Sequence, residues 1–387
     1  MKILRDIDAK NKRVLVRVDF NASLNKQGKA LDDFRLRATM PTISYLLGQN
    51  AKVILMAHLG RPTAANKQEF TLAPVAQKLG ELMGEKVELA EDCVGTAVHE
   101  RVVKMRGGDI LMLENLRWHK EEELNDVAFA QGLAELGEFY VNDAFAVSHR
   151  AHASVEAITR FLPSCAGLLL AKELAMLTRV RDNADHPFCV VIGGSKISSK
   201  LKLIQSFLGK AEDIILGGAL ANTMLHAKGI AIGKSVVDES VVEEVKNLEI
   251  TNTKIHLPVD AVLCTNKEDA GLCRTGPVGK VNDDELLLDI GPDSEQLFAR
   301  VIAQAKMVVW NGPVGLFENP AFVHGTQALA EAIAKSDAFS VIGGGETIAF
   351  LEARNLIDKF SFVSTGGGAM LEFFSGEELP GIVALTK

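Results

Sequence analysis

Short runs of β-branched and aliphatic residues alternate, along the whole chain, with stretches whose apolar positions recur at helical spacing. The first kind predicts strands buried on both faces. The second predicts helices that lay one apolar stripe against a sheet. Strands are expected at residues 13–20, 52–58, 109–113, 139–142, 188–192, 213–216, 307–310, 340–342 and 360–364. Helices are expected at residues 71–83, 200–210, 236–248, 294–306 and 326–335. Thr71 and Ser294 are placed as their N-caps, because a hydroxyl can accept from the free amides of a first turn. This alternation predicts an α/β fold with parallel, doubly wound sheets.

The pattern breaks near residues 161–170, within RFLPSCAG, and residues 171–181 then read as a connecting helix. A chain of 387 residues is too long for one ordinary core. Two domains are therefore expected, residues 1–170 and 171–370. The balance of 47% apolar and 24% charged residues is that of a globular protein. A net charge of -8 argues against a sequence-independent nucleic-acid binder. It leaves room for an anionic substrate, since local arginines can dominate an acidic surface. The cysteines at 93, 165, 189, 264 and 273 form no C-x-x-C pair, so reduced thiols packed as small apolar residues are expected. The opening MKILRDIDAKNKR lacks an apolar core, and no run approaches the ~20 apolar residues of a membrane span. The expectation is a soluble, cytoplasmic protein that does not engage a membrane.

Several predicted strands run directly into unusual loops: DFNAS, HLGRP, ENLRW, DAFAVSHR, GGSK, GGAL, NGPVG, GGGET and STGGGA. Ligands of open parallel sheets sit outside the carboxyl ends of the strands. The loops of the first half carry Arg35, Arg61, Arg117 and Arg150, with His58, His149 and His152 nearby. Converging guanidinium forks make a site for phosphate or carboxylate, and Asp19 and Asn21 can orient a guanidinium or bind a hydroxyl. The loops of the second half carry glycine. In GGSKISSK, residues 193–200, backbone amides can approach phosphate oxygens at a helix start, with Lys196 and Lys200 four residues apart. GGGET and STGGGA repeat the arrangement and form anion nests. Glu346 is a candidate magnesium ligand and Glu318 a candidate acceptor from a ribose hydroxyl. Neither G-x-x-x-x-G-K-[ST] nor G-x-G-x-x-G with its ribose-binding acid is present, which disfavours a P-loop NTPase and a dehydrogenase. A bare nucleotide-binding module would not need the arginine set. The division of chemistry predicts two half-sites facing each other.

Taken in order, RVDFN (17–21), AHLGRP (57–62), LENLRWHKEEELND (113–126), VNDAF (141–145), HRAHAS (149–154), GGSKISSK (193–200), WNGPVGLFE (310–318), GGGET (343–347) and STGGGAMLE (364–372) resemble phosphoglycerate kinases over essentially the whole chain. The resemblance implies two Rossmann-like domains joined by a hinge helix, with roughly residues 371–387 returning to the N-terminal domain. It implies reversible phosphoryl transfer from 1,3-bisphosphoglycerate to MgADP, by a monomer whose lobes close on both substrates. Asp19, Phe20, Asn21, Arg35, His58, Leu59, Gly60, Arg61, Arg117 and Arg150 would hold the phosphoglycerate. Lys196, Lys200, Gly217, Gly218, Asn311, Glu318, Gly344, Gly345, Glu346 and Thr347 would surround ATP or ADP, with Glu346 toward Mg²⁺. Arg35, Lys196 and the amides near Gly367 would stabilise the transferring group. The chain departs from the family pattern at Ala22 and Ser23, at Ala146 and Val147, and at Glu346, where aspartate is usual.

Overall fold

The computed structural model describes residues 1–21, 33–195, 197–248 and 253–386. The chain divides into two compact units, Met1–Ala175 together with Glu378–Lys387, and Met176–Glu377. The first contains β1 (Arg13–Arg17), β2 (Lys52–Met56), β3 (Val87–Leu89), β4 (Ile110–Met112), β5 (Phe139–Asn142) and β6 (Ser164–Ala166), paired in parallel in the order β3-β4-β2-β1-β5-β6. Val14, Leu15 and Val16 point alternately to opposite faces and all are fully buried, so both faces of the sheet are covered. The covering helices include α1 (Phe34–Gly48), α2 (Ala73–Met83), α3 (Thr96–Lys104) and α4 (Val127–Ala134). From β1 the chain builds outward to β2 on one side and, later, to β5 on the other. The strand order therefore reverses between β1 and β5, which is where a ligand crevice opens in such sheets.

Helix α5 (Leu168–Asp182) starts in the first unit and ends in the second. Asp143, just past β5, caps it: Oδ1 accepts from Leu169 N at 2.9 Å and Leu170 N at 3.2 Å. Residue 167 is glycine for a steric reason, since a Cβ there would stand 2.0 Å from that same oxygen.

The second unit has a six-stranded parallel sheet in the order β15-β14-β13-β7-β8-β9. Its strands are β7 (Phe188–Ile192), β8 (Asp213–Leu216), β9 (Ile255–His256), β13 (Met307–Asn311), β14 (Phe339–Gly343) and β15 (Phe362–Val363). The order reverses between β7 and β13. Between β9 and β13 the chain forms a separate three-stranded antiparallel sheet of β10 (Asp260–Cys264), β11 (Cys273–Pro277) and β12 (Leu286–Ile290), which the sequence pattern did not predict. The helices of this unit are α6 (Ile197–Leu208), α7 (Gly218–Ala227), α8 (Val242–Asn247), α9 (Pro292–Gln304), α10 (His324–Lys335), α11 (Gly345–Glu352) and α12 (Gly368–Phe374). Trp310, Phe298, Leu329 and Phe350 centre its core. Residues 371–374, expected with the first unit, pack here instead, where Phe374 meets Phe207. The returning segment is α13 (Pro380–Val383): Gly381 N donates to Ser148 O at 2.8 Å.

Three local expectations are corrected. Ser294 is not an N-cap, because α9 starts two residues earlier and Asp260 of β10 accepts from the amides of Asp293 and Ser294 at 3.0 and 2.8 Å. Thr71 stands one residue before the N-cap Leu72, with its hydroxyl accepting from Ala73 N at 3.3 Å. The cysteines are not all reduced: Cys264 and Cys273 sit directly opposite on β10 and β11, with Cα atoms 4.2 Å apart, and form a disulfide. Cys93, Cys165 and Cys189 are free and buried, as expected of packed thiols.

Candidate active site

In the first unit the basic residues lie beyond the carboxyl ends of β1, β2, β4 and β5. Arg35, in the first turn of α1, donates through Nη1 to Asp19 beyond β1. Gly60 is held on both sides: its N–H donates to Asn21 Oδ1 at 2.9 Å, and its carbonyl accepts from Arg117 Nη1 at 2.7 Å. Its φ of 59° is left-handed, and a Cβ would stand 2.3 Å from the Phe70 ring, so only glycine fits. Asn115, absent from the predicted set, fixes the loop further by accepting from Leu59 N and donating to Leu59 O, at 3.2 and 2.8 Å. Phe20 and Leu59 point into the core, so only their backbone groups can meet a ligand. Arg61 is exposed on the same loop.

His58 is 4% exposed and its Nδ1 lies 3.2 Å from Arg17 Nη2. Burial, then the charges of Arg17, Arg117, Arg150 and Arg35, hold its pKa well below the usual imidazole value. It is therefore neutral, and because arginine only donates, Nδ1 accepts and Nε2 carries the proton. Burial followed by Arg150 lowers His149 to about 4. Burial followed by Arg17, Arg117 and Arg150 lowers His152 to about 3. Burial leads each of these shifts and the arginine charges add to it; that gathering of guanidinium charge marks a place suited to an anion.

A buried network missed by the sequence reading supports these groups. Arg17 Nε donates to Ser154 Oγ at 2.8 Å, and that hydroxyl donates to Glu122 Oε1 at 2.6 Å. Ser154 N reaches Glu122 Oε2 at 2.9 Å, and Tyr140 Oη donates to Ser154 O at 2.8 Å. Arg17 closes the apolar run RVLVR, and that placement was the one available signal.

In the second unit the glycine-rich loops gather where the strand order reverses, with Gly193 N donating to Asn311 O at 3.0 Å. They line two adjoining hollows. One, about 590 Å³, is the more polar of the two and includes Lys200, Asn311, Gly344, Gly345, Thr347 and Gly367. The other, about 220 Å³, is lined by apolar groups such as Val236, Leu286, Leu288 and Val314, with Glu318 at its wall. Ser195 and Glu346 belong to both. Lys200, only 6% exposed, donates to Gly193 O. Thr347 Oγ1 accepts from Gly312 N at 2.9 Å. Asn311 Nδ2 is buried without a hydrogen-bond partner among the described residues, beside Gly344.

The glycines divide by cause. A Cβ on Gly217 would stand 2.4 Å from Val314, and one on Gly218 3.0 Å from Gly194 N, so these permit loop-on-loop packing. Nothing lies within 4 Å of a Cβ on Gly345 or Gly367, which leaves room at the wall of the polar hollow. Lys196, Ala22 and Ser23 lie outside the described residues.

The family model for phosphoglycerate kinase matches residues 4–377. The chain is 45% identical over 392 aligned positions to the phosphoglycerate kinase of Desulfosudis oleivorans, covering 100% of this chain and 99% of that one. It is 45% identical to that of Pelotomaculum thermopropionicum, covering 99% and 98%. Among solved structures, the phosphoglycerate kinase of Pyrococcus horikoshii superposes with a TM-score of 0.90 at 34% identity, covering 100% of this chain and 98% of that one. That of Coxiella burnetii gives 0.85 at 38% identity, covering 99% and 98%. With matches of this extent on sequence and fold alike, the chain belongs to the phosphoglycerate kinase family.

Proposed function

We propose that the chain reversibly transfers a phosphoryl group between 1,3-bisphosphoglycerate and ADP, giving 3-phosphoglycerate and ATP. The observation that supports this most directly is the arginine set of the first unit, placed beyond its strand ends around His58, His149 and His152, which burial and then those charges leave neutral. Arg117 and Arg150 bind the phosphoglycerate anion, with Arg61 joining from its exposed loop. Neutral His58 donates through Nε2, in the tautomer that Arg17 selects. Asp19 aims Arg35 so that its fork meets the oxygens of the transferring group, where charge spreads in the transition state. The reaction asks little covalent chemistry of the protein, so positioning and charge compensation carry it.

The apolar hollow takes the adenine and Glu318 the ribose, while the polar hollow takes the phosphates. Lys200 neutralises phosphate charge, Asn311 Nδ2 gains an acceptor, and the amides of Gly344, Gly345 and Gly367 supply further donors. Lys196 is proposed to act with Arg35 on the transferring phosphoryl. A magnesium ion fits Glu346, an exposed carboxylate in the first turn of α11 that lines the same hollow as the amides of Gly344 and Gly345. Glu346 would hold that ion, which neutralises phosphate charge when bound. The enzyme is proposed to act in the cytoplasm as a monomer, without nucleic-acid partners.

A coupled assay tests the reading: 3-phosphoglycerate, MgATP and glyceraldehyde-3-phosphate dehydrogenase, followed by NADH oxidation. Turnover is expected, with Arg35→Ala lowering kcat by at least roughly tenfold while the KM for MgATP changes little. No turnover, or an unchanged kcat in the variant, overturns it.

A further inference from the structure

A second cluster of ligand-type side chains lies in the first unit, away from the carboxylates and amides assigned to nucleotide. Asp92 and Cys93 follow β3, and His119 follows the short turn that carries Arg117. One donor atom from each of the three lies within 4.8 Å of the others. His119 Nε2 is 2.6 Å from Asp92 Oδ1, which also accepts from Cys93 N at 2.7 Å. The two loops are joined independently, because Glu114 N donates to Asp92 O at 3.3 Å. The His119 ring is steadied against Phe129, with centroids 5.3 Å apart. Cys93 is fully buried, whereas the side chains of Asp92 and His119 are 40% and 29% exposed. The cluster thus has a buried soft donor at its base and an open side toward solvent.

We propose that Asp92, Cys93 and His119 form a three-ligand site for a borderline-soft divalent cation of the zinc type, with water as the fourth ligand. A thiolate, an imidazole and a carboxylate in one cluster suit such an ion, whereas magnesium prefers oxygen ligands alone. Around an ion with bonds of ~2.0–2.3 Å, His119 Nε2 and Asp92 Oδ1 have to part from their 2.6 Å contact, and the partly exposed Asp92 side chain makes most of that adjustment. Coordination releases the thiol proton to solvent and moves the imidazole proton from Nε2 to Nδ1. In the metal-free protein burial and the Asp92 charge push the Cys93 thiol pKa well up, so the ion itself has to displace that proton. Occupancy would pin the Arg117 turn to the loop after β3 through metal bonds, in place of the His119–Asp92 hydrogen bond and beside the Glu114 N tie.

Cobalt(II) titration of the full chain, with the Cys264–Cys273 disulfide intact and free of phosphate, nucleotide and chelator, tests the site by absorbance. Wild-type protein is expected to develop a thiolate-to-cobalt charge-transfer band at one equivalent, bleached by zinc and unaffected by magnesium. Cys93→Ser should abolish the band, and His119→Gln should weaken cobalt binding at least roughly tenfold. Far-UV circular dichroism and urea unfolding check that both variants fold. If Cys93→Ser fails to fold, His119→Gln decides, since that side chain is partly exposed. No band in wild type, a band that survives Cys93→Ser, or unchanged affinity in a folded His119→Gln overturns the proposal.

Discussion

His152 illustrates how a single side chain reports burial beside the charges of the basic half-site. Its folded pKa of about 3 lies far below the ordinary ~6.5 of an unfolded histidine. As the pH falls from 6.5 toward 3, the unfolded chain takes up a proton that the folded chain refuses, so folding stability is lost across that window. His149, at about 4, acts in the same direction. Asp143, raised to about 6 by burial, acts oppositely, contributing stability that fades as pH rises toward 6. His152→Gln removes one proton site and leaves the others in place. Its urea midpoint should therefore change less between pH 7 and pH 5 than that of wild type, and an equal change in both would show that His152 is not held neutral. The charged residues of this half-site were legible because arginine and histidine recur in strand-end loops. Glu122 and Ser154 were not, because a buried ion pair tied through a hydroxyl leaves no periodicity in the chain, and HKEEELND reads as a solvated run.

At the scale of elements, the parallel strands were readable from apolar runs that need covering on both faces. The antiparallel sheet was not. Its strand β11, CRTGP, is largely exposed and carries neither an apolar run nor a clean alternation, so only its pairing with β10 makes it a strand. The same long-range logic defeated Ser294 as a cap, since the capping carboxylate of Asp260 belongs to β10. The glycine loops were all visible, but the sequence could not say which glycines serve packing and which leave space for a ligand. Alanine substitutions separate these. Gly217→Ala should cost roughly 1–3 kcal/mol by forcing Val314 away, as measured by urea unfolding. Gly345→Ala should leave stability within about 0.5 kcal/mol, since its methyl meets nothing, and weaken MgADP binding roughly tenfold by projecting into the polar hollow. Equal nucleotide affinity in wild type and Gly345→Ala, by calorimetry, would remove Gly345 from the phosphate site.

On the scale of the molecule, the returning C-terminal residues are a structural part of the first unit. Gly381 fits against Ser148 and Val155, where an added Cβ would stand 3.0 Å from Ser148 Cα and 2.6 Å from Val155 Cγ1. Asn142, at the end of β5, lies 3.5 Å from Gly381 O. Gly381→Val should therefore overpack this seat and cost roughly 1–3 kcal/mol. Because Ser148 opens the turn that presents Arg150, 3-phosphoglycerate affinity should fall while MgADP affinity, proposed above to rest on the other unit, stays level. A parallel loss of both affinities would mean that the substitution acts globally. The resemblance gave this return its direction but placed its start too early, since GAMLEFF is helical in either setting and only its packing on α6 assigns it.

That seat also imposes an order on biosynthesis. A ribosome delivers residues from the N-terminus onward, so the partners of Gly381 in the first unit emerge more than two hundred residues before it does. The second unit, Met176–Glu377, is one uninterrupted stretch and can complete itself as it leaves the exit tunnel. The unit synthesised first is thus the unit finished last. Until residues 378–387 emerge, the strand-end loop beside Arg150 lacks its backing, and on the proposed division of the substrates a nascent chain stalled before residue 378 would be able to hold nucleotide before it holds the phosphoglycerate.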